Sequence, residues 1–171
     1  MSMIQTATNS TENNENLEVL KKHIHGIRFA MLTNVQQDGT LTSKPMTTQE
    51  VDFDGNVWFF ANRDSLEKLE RQNANVNVAY SDPGRSVYVS MSGLAEVIND
   101  QNKIQELWNP MVEAYFPGGP EDPQVGLLCV QVSQAEYWDA PSSRTVRLFN
   151  LVKSVITGKA EDAGHHEKIM L

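Results

Sequence analysis

With a single cysteine, Cys129, the chain cannot be braced by an intrachain disulfide. That absence suits a reducing compartment, and a cytoplasmic location is expected. Cys129 sits in the apolar run Val125 to Val132 with no base beside it in sequence. This suits a buried small hydrophobe better than a reactive thiol. Basic residues are in deficit: 14 lysines and arginines face 22 aspartates and glutamates, for a net charge of −8. Such a chain offers no broad cationic field for nucleic acid, although a local basic pocket remains open to it. No apolar run approaches the ~20 residues of a membrane helix, and the N-terminus lacks the basic start and apolar core of a signal peptide. Nucleic acid and membrane are therefore not expected partners. There is no phosphate-binding glycine loop of the Walker or Rossmann kind and no GxSxG elbow. His165-His166-Glu167 lacks the HExxH spacing, and His23 and His25 diverge on a helix, so no metal centre is expected.

What is present is ordinary globular composition, 40% hydrophobic and 21% charged, in a length that suits one domain. The divisions expected are a mobile segment over 1–15, a domain over 16–158 and a tail over 159–171. The chain is best read outward from Gly39 to Thr48. This stretch follows a turn at Asp38-Gly39 and is rich in β-branched residues, as a strand is. Pro45 removes a ladder donor, so the strand must lie at an edge or carry a bulge. Lys44 stands beside that interruption. The strand and the hairpin partner expected after it form one wall of a site for an anionic, planar cofactor. The plainer alternative is an edge strand with a solvated lysine.

Elsewhere the spacing of Leu17, Leu20 and Ile24 predicts a helix over 15–25. Arg28–Val35 reads as a central strand, and Asp54-Gly55 as a tight turn into Asn56–Ala61, which together make a three-stranded meander. A helix then starts near Asp64, its expected N-cap, with Arg63, Ser65 and Lys68 at a terminus suited to phosphate. Solvated basic residues, with Lys68 paired to Asp64, are the alternative there. Val76–Tyr80 and the alternating Val87–Val97 are strands, with a bulge or corner at Gly93. Asp100 caps a helix that Pro110 must bend or end. A proline-glycine loop over 116–123 precedes the last long strand, Val125 to Asp139, and Leu148–Ile156 reads as a final helix. Hairpin strands with helices between and around them point to an antiparallel barrel with α-helical decoration.

In order and spacing, four stretches resemble the general stress proteins of the pyridoxamine 5′-phosphate oxidase-like superfamily. They are Asp38 to Thr47, Val57 to Ser65, Leu107-Trp-Asn-Pro110 with Tyr115 to Pro123, and Ala135 to Trp138. The resemblance covers roughly residues 16–171. It implies a mainly β fold with α (α+β), a six-stranded antiparallel split β-barrel of the FMN-binding type with flanking helices. It also implies a homodimer with two FMN sites at the subunit interface. The residues it marks for the cofactor are Lys44, Pro45, Met46 and Thr47 along one strand, and Phe59, Phe60 and Ala61 at the end of the next. Ser65 matches a phosphate-binding serine, with Arg63 and Lys68 beside it. Trp138 matches an aromatic residue that reaches the partner's flavin, and Arg144 an arginine that helps hold pyridoxal phosphate in the oxidase proper. The chain departs from the pattern at Glu67, where the family usually has a basic residue, and at Gln49, where the oxidase proper has a lysine. The expected function is thus FMN binding, with flavin-dependent oxidoreduction but without a clear vitamin B6 pocket and with no assigned general base. The alternatives are flavin held without turnover, or the same barrel with deazaflavin or haem, for which His23 or His25 are the axial candidates.

Overall fold

The computed structural model describes residues 14–49, 53–72, 74–139 and 165–171. A helix over residues 14–24 (α1) ends at Gly26, whose positive φ of 77° suits glycine just past a helix. Then follow β1 (Phe29–Val35), β2 (Leu41–Thr47), β3 (Asn56–Asn62), α2 (Arg63–Gln72), β4 (Asn75–Asp82), β5 (Val87–Ile98), α3 (Gln101–Leu107), α4 (Pro110–Tyr115), β6 (Val125–Asp139) and β7 (His165–Met170). The expected helix over 148–156, and Arg144, lie outside the described residues, as does most of the segment over 1–15.

The strands form one antiparallel sheet in the order β2-β1-β4-β5-β6-β3, with β7 added to β6. The fold is the expected α+β split barrel, with one strand more than the six anticipated. That strand falls in the stretch read as a tail. Its Ile169 is 3% exposed and joins the barrel core, and no alternating pattern of apolar residues betrays it.

β1 is central, as expected, and β2 is the edge strand that Pro45 demands. The three-stranded meander is not formed. β3 crosses to pair with β6 from Asn56↔Gln131 to Asn62↔Val125. The turn at Asp54-Gly55 is real, with Gly55 at φ 100° and the Asn56 N–H donating to Asp54 Oδ1. Neighbours in sequence do not pair here because β3 is apolar on both faces and is covered on both only beside β6. The residues just after β2 meet β3 at an isolated bridge, Thr48 with Phe59, and at a hydrogen bond from Gln49 N–H to Trp58 O (3.2 Å).

Two cores result. The barrel interior gathers the inward residues of the strands with Leu20 of α1 and Leu66 and Leu69 of α2. A smaller core outside the barrel joins Ile104 and Leu107 of α3 to Val125 and Leu127 of β6, flanked by Trp58, Phe60 and Trp108. Pro110 divides the second helical region as expected. α3 stops at Leu107, and α4 restarts under an Asn109 cap with proline at its first position.

Candidate functional site

The sheet opens where the Thr48–Phe59 bridge ends. Below it, among the described residues, Met46–Thr47 and Phe60–Asn62 have no ladder partner across the gap. Pro45 has no N–H with which to extend pairing there. A cavity of about 370 Å³ occupies this gap. Pro45, Met46 and Thr47 line it from β2, Phe60 and Ala61 from β3, and Met111, Tyr115 and Phe116 from the α4 side. Five of the residues marked from sequence thus share one cavity. Phe59 does not line it: its side chain is sealed in the barrel core. Lys44 is exposed on β2, opposite Leu32 in the register, and lies outside the lining.

A second cleft of about 480 Å³ adjoins the first and shares Thr47, Gln49 and Met111 with it. Its further lining includes Arg28, Thr48, Glu106, Trp108 and Asn109. Gln49, 7% exposed, is the joint between the two clefts. Its Oε1 accepts from Asn109 Nδ2 at 2.8 Å, and its Nε2 donates to Thr47 O at 3.3 Å. Asn109 in turn accepts from the N–H groups of Met111 (3.1 Å) and Val112 (3.2 Å) and donates to Leu107 O. This explains why an amide stands at position 49 rather than an ammonium. A buried amide is satisfied by this set of neighbours, whereas an ammonium would meet no carboxylate among those contacts. Thr48 shares a 3.0 Å hydrogen bond with the Tyr80 hydroxyl, which reaches it from inside the barrel. Burial pushes Tyr80 up to about 12, although the Thr48 hydrogen bond acts the other way, so the phenol is neutral at physiological pH. Sequence reading missed Gln49 and Asn109 as a pair because their 60-residue separation leaves no local signal.

At the other end of the first cavity, Asn62 lines the wall and starts α2. Asn62, not Asp64, caps this helix: the Asp64 N–H donates to Asn62 Oδ1 at 3.1 Å. The strand delivers Asn62 with extended geometry one residue before the helix, which is the position a cap requires. Ser65 and Lys68 are exposed on α2. Glu67 is paired to Arg71 at 2.8 Å, one turn on, and this offsets its charge. Lys68 has no ion pair with Asp64 among the described residues. Arg63 is committed elsewhere. Its guanidinium donates to Pro123 O (3.1 Å), Val125 O (3.1 Å) and Asn99 Oδ1 (2.6 Å), fastening α2 to the start of β6.

Trp138 lies far across the sheet, 39% exposed, stacked on His166 of β7 at 4.9 Å with 3° between planes. In sequence His166 stands out only within His165-His166-Glu167, a triplet without metal-site spacing. His23 is held by Val19 O at its Nδ1 (2.7 Å) and by Asp139 at its Nε2 (3.2 Å), so both ring nitrogens are engaged. Among the described residues no cluster of side chains has the makings of a metal site, and no helix is long and apolar enough to cross a membrane.

Residues 15–162 match the family described as pyridoxamine 5′-phosphate oxidase like, and the chain belongs to that family. It is similar to the protein bli-3 of Neurospora crassa, 26% identical over 143 residues that cover 77% of this chain and 68% of the other. Among solved structures it is similar to the general stress FMN/FAD binding protein of Xanthomonas citri, 34% identical with a TM-score of 0.66, covering 76% of this chain and 92% of that one. The general stress protein 26 of Bacillus anthracis shares the fold, at 22% identity and a TM-score of 0.59 over 72% of this chain and 91% of that one.

Proposed function

We propose that this protein binds FMN in the split between β2 and β3. The observation that carries the reading is the opening itself. Two unpaired strand edges and an apolar lining flank a cavity of about 370 Å³, within the range of small-molecule sites. Edge backbone groups offer hydrogen bonds to a heteroaromatic rim, while Phe60, Pro45 and Met46 offer apolar surface to its faces. Ser65 and Lys68, exposed near the start of α2, form the phosphate end, adjoining the cavity at Asn62. Glu67 weighs little against this, since Arg71 neutralises it locally. The similarity to an FMN/FAD binding protein of Xanthomonas citri supports the same reading.

A bound flavin supplies hydride chemistry. The chain's part is to exclude water with its apolar lining, to orient the ring along Met46–Thr47, and to place cations at the phosphate. Lys44 is the cation of the β2 edge. The proposal includes a cytoplasmic homodimer, with Trp138 contributing to the partner's site. Phe29, Met31, Tyr88 and Trp138, all more than a third exposed, lie on the outer face of the sheet and support that pairing. Oxidoreductase turnover is the leading activity. Flavin held without turnover is the second reading, favoured by a lining that has no titratable side chain but the exposed Tyr115.

Titration with FMN tests the proposal. Saturable quenching of flavin fluorescence is expected, and a colourless protein that leaves the flavin signal unchanged defeats it. Anaerobic reduction of the bound flavin by NADH or NADPH separates turnover from holding.

A further inference from the structure

We infer that the second cleft, at Arg28, is the site of a flat, apolar molecule carrying one carboxylate. The inference rests on the flavin reading only for what the occupant meets there; its own support is independent.

The first argument is what the polar groups of this cleft already do. Thr48 is bonded to Tyr80, Gln49 and Asn109 to each other, and Glu106 to Lys103 at 2.7 Å. Arg28 differs. Its guanidinium meets the Met111 sulfur at 3.3 Å, and sulfur is a weak acceptor. Every other arginine among the described residues holds oxygen: Arg63 three acceptors, Arg71 Glu67, and Arg85 Asp82 together with His25 O. In a chain of net charge −8, Arg28 is an exposed guanidinium with no carboxylate partner among the described residues, available to an anion from solution.

The second argument is the number and shape of charges. No lysine lines the cleft, and Glu106 lies in its wall. With Glu106 already paired to Lys103, Arg28 is the one uncommitted cation of the lining, and a single positive charge does not balance a phosphate dianion. A guanidinium fork matches the two oxygens of a carboxylate. The third argument is the apolar remainder. Leu107, Trp108 and Pro110 supply a flat wall, and Trp108 is fixed edge-on against Phe60 at 5.7 Å. Phe60 lines the first cavity, so an occupant packed on Trp108 is one side chain away from the proposed cofactor.

Benzoate is the probe, with benzamide as its neutral isostere, followed by calorimetry on protein with and without FMN. Saturable benzoate binding is expected, with benzamide roughly tenfold weaker or worse. Arg28→Gln is expected to lose about ten- to a hundredfold in benzoate affinity, the size of a charge-assisted bond. Arg28→Lys should retain part of it, and thermal melting of both variants should be unchanged because Arg28 is exposed. Absence of saturable benzoate binding, or equal affinity in Arg28→Gln, overturns the inference. Arg28-dependent benzoate binding in a protein that does not bind FMN upholds this cleft and defeats the flavin reading. FMN binding without benzoate binding does the reverse.

Discussion

The two halves of β6 are one strand with two different surroundings. Val125–Val130 are buried without exception, whereas from Gln131 to Asp139 buried and accessible residues alternate. The first half has β5 and β3 as neighbours, with α2 on one face and the α3 core on the other. The second half has β5 and β7, and its outer face carries the partly exposed Trp138. The change of partner coincides with a bulge. Ser92 pairs with Gln134 and Gly93 with Val132, so Ser133 is the extra residue. Around it, Val132 N–H donates to Gly55 O and Ser133 O accepts from Leu171 N–H. The lesson is that the cladding makes the clefts. Where α3 and α4 cover the sheet, their imperfect fit over the split leaves two cavities. Where no described residue covers it, the outer face of the sheet leaves Tyr88 and Trp138 partly exposed.

The severest way to break the comparison is to fill the bulge. A Cβ at Gly93 would run into the carbonyl oxygen of Gln131, with Gln131 C at 2.8 Å and Val132 Cα at 3.0 Å. These are backbone atoms and cannot rotate away. Gly93→Ala is expected to destabilise by about 3 kcal/mol or more, as severe overpacking does. Denaturant unfolding, or loss of soluble protein, reports it. A variant within about 1 kcal/mol of the parent would mean that the two halves tolerate a change of register.

A gentler intervention sharpens the contrast by emptying each core in turn. Leu127→Ala hollows the outer core and Met91→Ala the barrel interior; both side chains are fully buried. Each is expected to lose about 2–5 kcal/mol. Their effects on FMN should part company. Leu127 supports the α3 region beside the clefts, so its loss should weaken FMN binding even in folded protein. Met91 lies in the sealed barrel, so the folded variant should bind FMN as the parent does. Fluorescence titration well below each melting temperature checks this, and equal losses of affinity would remove the distinction between the two cores.

Sequence periodicity reached much of the barrel half. The alternation of Val87, Val89 and Met91 against Tyr88, Ser90 and Ser92 is reproduced in β5, and Gly93 sits at the bulge expected there. Pro45 located an edge because a missing N–H is a local property with a global consequence. What stayed hidden depended on partners distant in the chain. β3 reads as the third strand of a meander until β6 claims it. β7 has one buried apolar residue, Ile169, too few for a pattern. In the site, Pro45 marks the β2 edge from local sequence, because a strand that must stop pairing announces itself, whereas Met46, Thr47, Phe60 and Ala61 are named by the family resemblance and by no local pattern. The Gln49–Asn109 pair could not, since a glutamine in sequence reads as surface until its partner is known.

That pair yields the smallest effect and the finest test of whether the cladding is separable from the barrel. Gln49→Leu removes the acceptor of Asn109 Nδ2, which still keeps Leu107 O at 3.1 Å. Two hydrogen bonds are lost, the one from Asn109 Nδ2 and the one to Thr47 O, while the Asn109 donor keeps a partner, so about 1–2 kcal/mol is expected. Asn109→Ala also uncaps α4 and should lose about 1–2 kcal/mol. The double variant should lose less than the sum, because the amide–amide bond is counted in both single changes. If the losses simply add, Gln49 is not what holds α4 over the split. If they couple, the shared wall of the two clefts hangs on one buried amide. Gln49→Lys should then loosen that wall despite bringing a positive charge nearer to any anion bound there, because its ammonium cannot accept the hydrogen bond that Asn109 donates.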